Sequence, residues 1–143
     1  GAVAGLVAIT PAAGFVSPMS SLVLGLLAGF ICYGGVLLKE RLGYDDSLDV
    51  VGIHGLGGIW GALATGLFAS TAVNSGGADG LFFGNPLQFG IQLVSVIATC
   101  AFSFGMTFGI LKVVNMVVGL RLEPEEEEQG LDLSQHSETG YQF

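Results

Sequence analysis

Charge is scarce in this chain, and positive charge is scarcest. Only 11% of the 143 residues are charged, and the basic ones are Lys39, Arg41, Lys112 and Arg121. Soluble domains carry about 25% charged residues, so the shortage places the chain in or beside a membrane. It also excludes a basic nucleic-acid surface. Cysteine is nearly absent. Cys32 and Cys100 both fall in apolar runs, where a thiol behaves as a small hydrophobe, and nothing supports a disulfide between them. No signal-peptide pattern is visible. The chain opens inside an apolar segment, GAVAGLVAIT, without an initiator Met, and we read this as a missing N-terminal region. There is also no nucleophile–base set and no phosphate loop. The second histidine, His136, lies in a polar tail far from any partner ligand. We therefore expect no enzyme activity, no metal and no cofactor.

Apolar residues and glycine fill the chain. It is 51% hydrophobic, with 24 glycines and a mean hydropathy of +0.71. Glycine in an apolar helix lets a neighbouring helix approach closely. Four apolar segments stand out. The first, residues 1 to about 16, is too short to cross a ~30 Å hydrocarbon core at ~1.5 Å per residue. The second, about 18–38, and the third, about 47–69, are long enough. The fourth, about 86–120, exceeds the core and must tilt or project. These segments predict an all-α membrane protein, a bundle of transmembrane helices over 1–121. The acidic tail, 122–143, holds most of the twelve acids and lies outside the membrane.

Local signals refine this reading. Pro18 and Pro86 suit the first turn of a helix. Pro11 disfavours helix at Thr10; it marks either a helix end or backbone lining a cavity. Lys39 and Arg41 close the second segment, and Lys112 and Arg121 lie at the end of the fourth. The loop STAVNSGGADGLFFGN has no basic residue. Positive charge favours the cytoplasmic side, so the Lys39 turn and the C-terminus are expected there, with the protein in the cell membrane.

One polar side chain interrupts the third segment. In DDSLDVVGIHGLGGIWG, His54 sits among glycines. Ionisable residues inside a membrane usually face the bundle interior or a cavity. Helical spacing groups His54 with Val50, Val51, Gly57, Gly58 and Gly61, with Thr65 further along. His54 is then either a pore-lining imidazole able to relay protons or a structural histidine bonded between helices. Asp45, Asp46 and Asp49 precede the segment. They cap the helix or form a negative vestibule for a small cation.

Three motifs now belong together: GAVAGLVAITPAAGFV, DDSLDVVGIHGLGGIWG and GLDLSQHSETGY. In this order and spacing they closely resemble the ammonium transporter family, related to the Rhesus proteins, over essentially the whole chain. The resemblance implies eleven membrane helices in two pseudo-symmetric halves, assembled as a homotrimer with one pore per subunit. This chain resembles the last third, from the end of helix eight through helix eleven. His54 matches the second member of a twin-histidine pair whose first member is absent here. Val50 and Val3 match apolar positions lining the conduit. Thr10 matches a threonine close to the pore, and Asp49 an acid near the cytoplasmic mouth. Gly130, Leu131, Asp132, His136 and Tyr141 match a regulatory tail, which implies order there, contact with a neighbouring subunit and docking of a PII-type signalling protein.

The implied function is transport of ammonium or ammonia, with methylammonium as a surrogate. Ammonium loses its proton on entry, ammonia passes the histidines, a proton follows separately, and the ion reforms inside. The outer recruitment site belongs to helices absent here, so neither Trp60 nor Tyr33 is assigned to it. Two other readings accompany this one. An ammonium sensor would usually carry a further signalling domain beyond the tail. A structural membrane fragment would have no activity of its own.

Overall fold

The computed structural model describes residues 1–140. Among these residues there is no β-strand, only an isolated bridge between Val16 and Ala69. The chain divides into two units, Gly1–Cys100 and Ala101–Phe143.

The first unit begins with α1, Ala2–Ile9. Pro11 ends it, because its ring removes a donor and restricts the residue before it. The chain tightens there into a 3₁₀ turn, Thr10–Ala12. This is the helix-end reading of Pro11. Helix α2 covers Pro18–Leu42. Ser17 caps it by accepting from the Ser20 amide at 3.2 Å, and Pro18 occupies the first turn. Gly43 stops it at φ 66°, donating to the Lys39 carbonyl, as left-handed C-terminal glycines do. Lys39 and Arg41 fall in its last turn, where cations offset the helix dipole.

Next come a π-helical turn, Val51–Gly55, and α3, Leu56–Phe68. A 3₁₀ turn at Leu81–Phe83 leads to α4, Pro86–Val117. Among the described residues three segments are long and apolar enough to cross a membrane: α2, Val51–Phe68 and α4. At 32 residues, α4 is about 48 Å long. It runs past Lys112 to Val117, so Lys112 lies within its last two turns.

Small side chains hold the first unit together. Its core is Ala8, Ala12, Val16, Leu24, Ala28 and Ala64, with Ile9, Trp60 and Phe68 against it. The buried side of α2 is Ser20, Leu24, Ala28, Cys32 and Gly35, a stripe repeating every three or four residues. Glycine sets the helix spacing. A β-carbon on Gly61 would overlap the Ala8 carbonyl oxygen of α1. One on Gly35 would lie 2.9 Å from the Gly52 Cα, and one on Gly66 would lie 3.0 Å from the Phe89 Cα of α4. The Trp60 indole donates to the Leu24 carbonyl at 3.0 Å, joining α3 to α2. Phe68 and Phe82 rings meet at 5.0 Å.

The second unit contains the C-terminal part of α4, then α5, Pro124–Gln129, and α6, Leu131–Ser134. Phe104 and Phe108 stack at 6.3 Å, and the Lys112 ammonium lies 5.4 Å from the Phe108 ring centroid. Arg121 Nε and Nη2 bond the two carboxylate oxygens of Glu127 at 2.8 and 3.1 Å. Glu125, Glu126 and Glu127 occupy the first turn of α5, where acids complement the dipole.

These spacings give a stability test. Gly61→Ala drives a methyl group into the α1 backbone and should cost about 1–3 kcal/mol, read as a lower unfolding temperature in detergent. Gly25→Ala, where a β-carbon meets nothing within 4 Å, should leave that temperature unchanged or slightly raised.

Candidate functional site

His54 sits in the π-helical turn, where the Leu56 amide reaches back five residues to the Val51 carbonyl. Such turns are rare and gather at functional sites. The turn packs on α2. Gly52 is buried with its Cα against Gly35 of α2. The Cys32 thiol donates to the Ile53 carbonyl at 3.7 Å. Among the described residues the imidazole itself is exposed and has no hydrogen-bond partner.

The structure corrects the face that helical spacing predicts. Gly57, Gly61 and Thr65 are buried, whereas Val50, Val51 and His54 are exposed. A β-carbon on Gly57 would meet Cys32 Sγ at 3.2 Å and Val7 Cγ1 at 3.4 Å. Those glycines make room for α1 and α2, not for the imidazole. Only Gly58 faces open space. The physical reason is the wider π turn, which changes the angular offset between residues before and within it and those of α3.

The turn entering this segment is built from acids. Both oxygens of Asp46 accept backbone donors, Oδ1 from the Val50 amide and Oδ2 from the Val51 amide, each at 2.9 Å. Asp46 is therefore the cap among the three acids. Asp49 plays another part. It adopts φ 56°, a left-handed backbone, and its carboxylate pairs with Lys39. Its amide donates to the Asp46 carbonyl at 3.1 Å, and its carbonyl accepts from the Ile53 amide at 2.9 Å. Lys39 carried only a topological signal in the sequence, so its contact with this turn is new.

The other expected site residues lie as follows. Val3 and Val50 are 49% and 47% exposed, so neither packs in the core of the first unit. The Thr10 hydroxyl donates to the Leu6 carbonyl at 2.7 Å, occupied by its own helix. Trp60 packs against α2 as described, and Tyr33 is exposed. In the tail, Gly130 adopts φ 96° at the junction of α5 and α6. Asp132 gathers the residues that follow: its carbonyl accepts from the Glu138 amide at 2.9 Å and its Oδ2 from the Gly140 amide at 3.3 Å. Leu131 is 57% exposed and His136 is exposed. Tyr141 lies outside the described residues.

Comparison with known proteins places this arrangement. A family model described as the Ammonium Transporter Family matches residues 1–141. An ammonium transporter of Bacillus subtilis is 54% identical over 143 residues, covering 99% of this chain and 35% of that protein. Ammonium transporter Amt1 of Archaeoglobus fulgidus is 48% identical over 141 residues, covering 99% of this chain and 36% of that protein. The crystal structure of Saccharomyces cerevisiae Mep2 superposes with a TM-score of 0.81 at 39% identity, covering 93% of this chain and 31% of that one. The chain thus spans about a third of the length of the relatives it matches.

The double cap can be tested directly. Asp46→Ala should cost about 0.5–2 kcal/mol, measured by thermal unfolding in detergent. Asp46→Asn keeps one carbonyl acceptor and should fall between the parent and Asp46→Ala.

Proposed function

The chain belongs to the ammonium transporter family, and we propose that it supplies part of a conduit carrying ammonium or ammonia across the cell membrane. One observation carries the reading. A lone imidazole, unpartnered among the described residues, stands exposed in a π turn at the start of an apolar span. A bare cation in such surroundings pays a large desolvation cost, and a neutral molecule does not. Ammonium therefore gives up its proton before the apolar section, ammonia passes along the histidines, the proton crosses separately, and the two recombine to the ion beyond them. The same cost excludes potassium, which cannot become neutral.

The residues take these roles. His54 is the second of two facing imidazoles, and a hydrogen bond to its partner fixes its tautomer and orientation. Val50 and Val3 line the apolar path, with Thr10 close to it. Asp49 lies at the cytoplasmic mouth. The transporter is a homotrimer in the lipid bilayer with its C-terminus in the cytoplasm. Gly130, Leu131, Asp132, His136 and Tyr141 form a regulatory tail beneath the membrane, reached by a PII-type signalling protein. The exposed apolar surface of α4, none of it buried, supports a site completed by further helices and lipid.

The test is electrical. The full-length transporter is reconstituted in proteoliposomes and its current recorded after an ammonium pulse, beside His54→Ala. Losing one hydrogen-bonding contact of about 1.4 kcal/mol at the barrier should lower the current about tenfold. Methylammonium should give a smaller current with the same ratio. An unchanged current in the variant would make His54 a packing residue. No current in the assembled parent would remove the transport reading.

A further inference from the structure

Lys39 touches the turn before His54 at two points. Its Nζ donates to the Asp46 carbonyl at 2.9 Å and pairs with the Asp49 carboxylate. The two side chains are only 21% and 31% exposed, so solvent screens this pair less than a surface one. One ammonium on α2 thus holds both ends of the stretch Asp46–Asp49. The stretch needs holding. Asp49 sits at φ 56°, a conformation few residues other than glycine adopt, although Asp does so more than most. Directly after it, the Asp46 carboxylate collects the Val50 and Val51 amides, and the Asp49 carbonyl takes the Ile53 amide. His54 follows in the π turn.

We propose that Lys39 is a positioning residue for His54. It fixes the carbonyl of the capping residue and the carboxylate of the left-handed residue together. The π turn is thereby started at one rotation, and the imidazole is presented in one direction. Cys32 and Gly35 of the same helix meet the turn from below, so α2 grips it at three levels. The two aspartates therefore divide the labour: Asp46 bonds the amides, and Asp49 takes the cation. A lysine that only marked the membrane surface would need neither acid, and its replacement would leave the turn intact.

Hydrogen exchange on the full-length transporter in detergent tests this, comparing the parent with Lys39→Met, Asp49→Asn, their combination and Lys39→Arg. Asn tolerates the left-handed backbone, so Asp49→Asn removes charge and keeps conformation. Amides from Val50 to Ile53 should exchange about tenfold faster in both single variants. The double variant should be no faster than the faster single, and Lys39→Arg should restore the parent rate. Unchanged exchange in this segment, additive effects, or equal acceleration throughout α2 and α3 would overturn the proposal. If Lys39→Met does not assemble, Asp49→Asn decides it. A second readout rests on the ammonium reading: current per assembled transporter should fall about tenfold in step with the exchange. Faster exchange with unchanged current would overturn the positioning of His54. A parent without current would remove the transport reading and leave exchange to judge the brace.

Discussion

Backbone meeting backbone at glycine is the contact on which the rest of this structure depends. Between helices in lipid there is little hydrophobic gain, because the surroundings are as apolar as the side chains. What remains is dispersion at short range and a few hydrogen bonds, and both require close approach. Gly61 against Ala8, Gly35 against Gly52 and Gly66 against Phe89 supply it. The core between them is accordingly made of four alanines, Val16 and Leu24, the last being the one large, fully buried side chain among the described residues.

The Gly35–Gly52 crossing also shapes the site. It lies two residues before His54, so α2 meets the start of the π turn with its backbone close against the Gly52 backbone. Neighbours from α2 reach backbone groups in and before the turn: the Cys32 thiol donates to the Ile53 carbonyl within it, and Lys39 donates to the Asp46 carbonyl ahead of it. Packing and polar satisfaction come from the same helix. The direction of His54 is therefore settled by residues nineteen and fifteen positions earlier, Gly35 and Lys39, as much as by its sequence neighbours.

Much of this was legible in the sequence wherever a local rule acts alone. Apolar length gave three spans, and Pro18 and Pro86 marked helix starts because a ring without an N–H fits only there. Pro11 ended α1 for the same chemistry. His54 stood out as a polar ring in an apolar run. The π turn was hidden, since no side-chain period distinguishes it from an α-helix. With it went the true facing of Gly57 and Gly61, which a straight 3.6-residue helix assigns to the imidazole. Three acids before one helix look alike on paper; only folded geometry separates Asp46, aimed at two amides, from Asp49, aimed at a lysine. In the tail, the motif named Gly130 and Asp132, and the structure adds why: one needs a positive φ, the other collects two amides from further along the chain.

The chain has a single tryptophan, and it stands at the joint between α2 and α3 with its indole nitrogen bonded to the Leu24 carbonyl. Indole fluorescence responds to that bond and to the polarity around it. This stretch of protein therefore carries a built-in optical reporter. A movement that parts α2 from α3 at this joint breaks the bond and changes the colour of the emitted light.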